Sequence, residues 1–127
     1  MKKLLVLLFS LMISFNSYGE WKKNWDGGSE SSYINISSIK NHNGYVYYWR
    51  MLNYLEPTFE WQLMSTQIYS QGDCNLNRVK TLSYVYFKKG MGAGYSEQEE
   101  SKNKDWKYPP PETYSFYALN YVCDYIN

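Results

Sequence analysis

With one histidine, two cysteines and almost no surplus of charge in 127 residues, this chain has little to offer a metal, a thiol relay or a polyanion. A zinc site draws its ligands mainly from Cys and His. With His42 alone the set would have to be completed by carboxylates, so no metal and no cofactor is expected. Thirteen Lys and Arg face 12 Asp and Glu, a balance that attracts no polyanion over long range and excludes nucleic acid as the expected partner. The one extended apolar run, Leu4 to about Phe15, is shorter than the roughly 18 to 20 residues that span a bilayer. No transmembrane anchor is expected. A Gly-x-Ser-x-Gly elbow is also missing, which leaves a Ser/His/Asp hydrolase without support.

What the chain does have starts at its N-terminus. Met1-Lys2-Lys3 precedes the apolar run, and Ser17 and Gly19 supply the small residues read at the minus-three and minus-one positions of a signal peptide. Residues 1–19 are therefore expected to be a cleaved leader, with the cut between Gly19 and Glu20. The exported form is expected to be periplasmic or secreted, since no cysteine follows the leader to carry a lipid. Lys2 and Lys3 belong to the leader, so 11 of the 13 basic residues remain against 12 acidic ones, a net charge of −1. Residues 20–127 make one domain, which buries about 65% of the surface its unfolded chain exposes. Two cysteines in an exported chain of this size read as a bridge, Cys74 to Cys123, because an oxidising compartment preserves the bond and a small core needs it. A metal pair and a reactive thiol are the competing readings.

Alternation and turn residues divide the chain into short β-segments. Trp21 to Trp25 and Tyr33 to Ile36 are two, separated by the Asp26-Gly27-Gly28-Ser29 loop. Asn41-His42-Asn43-Gly44 is the strongest turn signal. Tyr45 to Tyr54 follows with bulky residues on both faces, Val46, Tyr48, Leu52 and Tyr54 against Tyr45, Tyr47, Trp49 and Met51. A strand is expected from Phe59 to about Gly72, with Met64, Thr66, Ile68 and Cys74 on one face, and another from Arg78 to Phe87, with Val79, Val85 and Phe87 opposite Leu82, Tyr84 and Tyr86. Met91-Gly92-Ala93-Gly94 reads as a bend and Ser96 to Lys107 as a solvated loop. After Pro109-Pro110-Pro111, Thr113 caps a helix from Tyr114 to Cys123 or slightly beyond. Phe116, Leu119 and Cys123 form its apolar stripe, with Val122 at the margin. The fold class is α+β, an antiparallel sheet with a C-terminal helix bridged to one face.

The order of these elements and the residues at their joints resemble the surface-adhesin protein E family. The resemblance rests on Tyr33-Ile34-Asn35 followed by Ser38-Ile39, on Val46, Trp49, Tyr54 and Pro57, and on Asp73-Cys74 with Arg78 and Leu82. Met91-Gly92-Ala93-Gly94, Trp106, Pro111 and Cys123 complete it. It implies an antiparallel sheet with a helix held by the disulfide, no catalysis, adhesion to host matrix or serum proteins, and homodimerisation. A rival reading is a periplasmic inhibitor or envelope-stress accessory acting on a cell-wall enzyme.

Single motifs add little to this. His42 lies in a turn and reads as exposed. Glu97, Glu99 and Glu100 fall in a charge run rather than in a paired-carboxylate site, and Gly92-Ala93-Gly94 lacks the third glycine of a dinucleotide loop. Asn35-Ile36-Ser37 matches a glycosylation triplet that arises often by chance. The aromatic content is harder to set aside, because 15 Tyr and 5 Trp are too many for one small core and leave rings for an exposed patch. Tyr45, Tyr47 and Trp49, on the sheet face opposite the helix, are the expected ligand-binding residues, with Lys88 and Lys89 adding charge at a strand end.

Overall fold

The computed structural model describes residues 20–127, so the expected leader lies outside the described residues. Among the described residues seven strands come first: β1 (Trp21–Asp26), β2 (Glu30–Asn35), β3 (Lys40–His42), β4 (Tyr45–Tyr54), β5 (Ser65–Asp73), β6 (Arg78–Phe87) and β7 (Ser96–Glu100). One helix, α1 (Tyr114–Ile126), closes the chain. The strands form a single antiparallel sheet in the order β1-β2-β4-β5-β6-β7, with β3 also paired to β4. The expected α+β architecture is the observed one.

Helix α1 covers one face at the β1, β2 and β4 end of the sheet. Thr113 caps it as expected, its hydroxyl accepting from the Phe116 N–H at 3.2 Å, which satisfies one of the free donors of the first turn. Ile34, Val46, Tyr48 and Val79 of the sheet pack with Ala118 and Val122 of the helix to form the core, and Leu119 is buried beside them. Val122 is thus central to the buried stripe rather than marginal, while Phe116 and Cys123 are only half-buried. Gly72 shows how closely the layers meet. A Cβ there would lie 2.8 Å from Leu119 Cδ1 and 3.0 Å from Val46 Cγ1. Gly72→Val is therefore expected to lift the helix and cost about 2 kcal/mol by overpacking, read as a lowered urea midpoint with an unchanged slope.

Cys74 and Cys123 are bridged, with their Cα atoms 5.8 Å apart. The turn that presents Cys74 is built by its neighbours. Asp73 Oδ1 accepts from the Asn75 and Leu76 N–H groups, and Oδ2 accepts from Arg78 Nε at 2.9 Å. Burial alone would raise the Asp73 pKa, but the Arg78 hydrogen bond and the two backbone donors outweigh it and hold the carboxyl below its ordinary value.

Three expectations are corrected. The segment Ser96–Glu100, read as solvated loop, is an edge strand paired to β6; an outer strand needs only backbone partners on one side, and its charges stay in water. Strand β5 begins at Ser65, not Phe59, because Trp61 and Gln62 take left-handed backbone angles, φ 62° and 53°, that a strand cannot hold. The loop is closed instead by Thr58, whose backbone N–H donates to the Leu63 carbonyl and whose Oγ1 accepts from the Leu63 N–H. In β6 the register shifts so that Thr81 opposes Ser70 while Ser83 opposes Tyr69. That bulge interrupts the two-residue period, and Val79 joins Tyr84 and Tyr86 on the helix side instead of opposing them.

Candidate functional site

The face of the sheet away from the helix carries the odd-numbered side chains of β4. Pairing aligns Tyr47 with Gln71, Trp49 with Tyr69 and Met51 with Gln67, so β5 extends the row that β4 starts. Trp49 and Tyr69 stack with ring centroids 5.0 Å apart, and Tyr47 leans on Tyr69 at 6.3 Å. Tyr45, Tyr47, Trp49 and Tyr69 are all half-buried. Rings that stack and lean on one another are held rigidly and, half-buried, still present part of their surface to solvent. Beside them, Lys40, Asn41, His42, Tyr47 and Tyr69 line a shallow cleft of about 560 Å³. The His42 ring meets the Asn43 amide at 3.1 Å and tilts toward Tyr47 at 6.4 Å.

Two loops frame this row. At one end the segment after β7 returns across β6, with Lys107 and Val79 exchanging backbone hydrogen bonds at 2.8 and 2.9 Å. It lays Trp106 against Tyr45 at 5.4 Å. Arg78 and Lys80 sit over the Trp106 ring at 4.2 and 4.6 Å, cation–π contacts that place positive charge at this rim. At the other end the Met91–Gly94 bend is fastened down, the Met91 N–H donating to Asn53 Oδ1 at 2.8 Å and the Gly92 N–H to Ser65 Oγ at 2.9 Å. Met51 is fully buried beneath it. Gly92 has φ 69°, a left-handed backbone that favours glycine, and the Gln67 amide lies against it, 2.5 Å from where a Cβ would be.

The frame has the outline of a known family, and the chain's own sequence decides the matter. The family described as surface-adhesin protein E matches residues 20–124. The chain belongs to the surface-adhesin protein E family. The fold agrees with Haemophilus influenzae protein E. One crystal form aligns with TM-score 0.69 at 15% identity, covering 84% of this chain and 89% of that one. A second structure gives 0.66 at 15% identity, covering 84% and 86%. Protein E from non-typeable Haemophilus influenzae gives 0.61 at 17% identity, covering 84% and 76%. No curated protein matches the chain at significant similarity. In this surface-adhesin protein E member, the residues that carry the resemblance mostly build the frame. Asp73 and Arg78 hold the Cys74 turn, Met91–Gly94 close one end of the open face, and Trp106 closes the other.

Of the residues expected from sequence to bind a ligand, Tyr45, Tyr47 and Trp49 come together on the open face, as the two-residue period requires. Lys88 does not join them. It lies on the helix side, where its ammonium donates to the Trp61 carbonyl and it lines a second cleft of about 450 Å³ with Trp61, Tyr86, Tyr95, Glu97 and Glu99. Lys89 is exposed, and its side chain runs beside Gly94 at the rim of the bend. Tyr69 and Trp106 were missing from the expected set, since only strand register and the returning loop bring them to β4. A sequence reading also conceals Phe59 and Trp61, which are 97% and 65% exposed in the β4–β5 loop. Their signal was the Pro57-Thr58 pair just upstream, which favours a loop over a strand.

Among the described residues no group of three or more His, Cys, Asp or Glu could hold a metal ion, and no helix is long and apolar enough to cross a membrane.

Proposed function

We propose that this family member is an exported adhesin whose open sheet face, centred on Tyr47, Trp49 and Tyr69, holds a protein ligand of the host matrix or serum class. The row of half-buried aromatic rings, framed by two fastened loops and edged by Lys40 and Lys80, carries this reading. Tyrosine and tryptophan concentrate interface energy because each buries a large area for few rotatable bonds and keeps a polar end. The cationic edge favours an acidic or mixed-charge partner and acts mainly on the rate of encounter.

Tyr47→Ala is expected to leave the fold intact and to weaken binding to immobilised matrix or serum protein by about 2 kcal/mol, roughly 30-fold. Lys80→Ala is expected to alter mainly the on-rate and its salt dependence. Surface plasmon resonance, with thermal unfolding as the control, measures both. Unchanged affinity in a folded Tyr47→Ala protein sinks the assignment. A variant that becomes monomeric in light scattering while still binding assigns the face to self-association, and inhibition of a cell-wall hydrolase that Tyr47→Ala abolishes assigns it to the inhibitor reading.

A further inference from the structure

Arg50 lies in the middle of β4 on the helix side and is only 6% exposed. Its Nε and Nη1 groups are buried with no hydrogen-bond partner among the described residues. The hydroxyls of Tyr48, Ser32 and Ser70 are buried there without a well-formed hydrogen bond, Tyr48 and Ser70 lying close to each other. Strand register places all of these on one face, with Ser70 directly across from Tyr48 and Ser32 across from Leu52. Among the described residues, five of the seven buried polar atoms left unpartnered in this way lie on this one face of the sheet. Tyr114, the first residue of α1, closes it from above, with Arg50 Cζ 5.2 Å from the ring centroid.

The charge is as isolated as the hydrogen bonds. The groups that act on Arg50 electrostatically are Tyr48, Tyr114, Tyr84 and Tyr54, and none is a carboxylate. Burial lowers its pKa from the ordinary value, yet a guanidinium starts so high that it remains charged at neutral pH. A buried cation without a counter-ion is strongly disfavoured, and one ring face offsets only part of that cost. Hydroxyls and guanidinium N–H groups together form a donor set, and the helix N-terminus adds its positive end.

We infer that Arg50, with the Tyr48, Ser32 and Ser70 hydroxyls and the N-terminus of α1, forms an internal site for a small monovalent anion, chloride or formate in size, held between sheet and helix. Such an anion neutralises Arg50, accepts from the orphaned donors and ties the start of α1 to β4. The inference is independent of the open face, because Arg50 and Tyr47 project from opposite sides of the sheet.

The test exchanges sodium gluconate, too bulky to enter, for sodium chloride or sodium formate at constant ionic strength. The Arg50 Nε–H resonance of the wild-type protein is expected to shift saturably, and the thermal midpoint to rise by about 4 °C or more. Arg50→Met is expected to abolish the rise and, in gluconate, to unfold at a higher temperature than the parent. An Nε–H signal indifferent to the exchange overturns the proposal, because the donors are then satisfied by water or within the protein. An equal midpoint rise in a folded Arg50→Met protein also overturns it, as binding of an adventitious ion only. Where Arg50→Met does not fold, the wild-type titration alone decides.

Discussion

Cys123→Ser is expected to lose about 4 kcal/mol of stability, the largest single effect in the molecule. The bridge spans a sequence separation of 49 residues, and closing a loop of that length removes about 4 kcal/mol of chain entropy from the unfolded state. A domain of this size is normally stable by only about 5 to 15 kcal/mol in total. The loss is also focused. Helix α1 buries Ala118, Leu119 and Val122 against the sheet, with Tyr114 and Tyr117 against Trp25 beside them. Without the bond the helix detaches at lower denaturant than the strands. Urea titration followed by far-UV circular dichroism, on Cys123→Ser and on wild type with and without reductant, measures this. Reduced wild type and the variant should coincide, and midpoints equal to that of the oxidised parent would count decisively against the estimate.

Raising the pH from 10 to 12 is expected to remove roughly 2 kcal/mol through one residue, Tyr48. Its hydroxyl is fully buried, and burial pushes its pKa up to about 12 from the ordinary 10, with Arg50 and Ser70 pulling the other way without cancelling the effect. Above pH 10 the unfolded chain ionises this phenol while the folded protein keeps the proton. Stability contributed by the neutral form is therefore complete below pH 10 and lost progressively as pH rises through 12. Tyr86 is pushed up to about 12 as well, by burial and then by the Glu99 charge, but it is only half-buried and solvent screening reduces its share. Tyr48→Phe isolates the larger contribution. At pH 8 the urea midpoint of the variant sets its own baseline, as the parent's does. Near pH 11 its urea midpoint should fall much less than the parent's. Equal declines in both proteins would assign the alkaline loss elsewhere.

The open face shows how far local pattern reaches. Tyr45, Tyr47 and Trp49 share a side in any extended chain, and the sequence alone places them there. Tyr69 joins them because β5 pairs with β4 in one register, and Trp106 because the loop after β7 returns to Val79. Neither event leaves a trace in nearby residues. Lys88 illustrates the opposite failure. It directly follows β6, yet its side chain emerges on the helix side and reaches Trp61.

Short-range stereochemistry accounts for the hairpin at Asn43 and Gly44, the alternation of β4, the Thr113 cap, the helix that follows it, and the two cysteines available to pair. These follow from backbone and side-chain preferences within a few residues. Long-range pairing sets the remainder. A bulge in β6 carries Val79 into the core, an edge position makes Ser96–Glu100 a strand despite its charges, and left-handed backbone at Trp61 and Gln62 turns an apparent strand into an exposed loop. Each depends on which distant backbone supplies a hydrogen-bond partner, and that is settled only when the whole sheet has assembled.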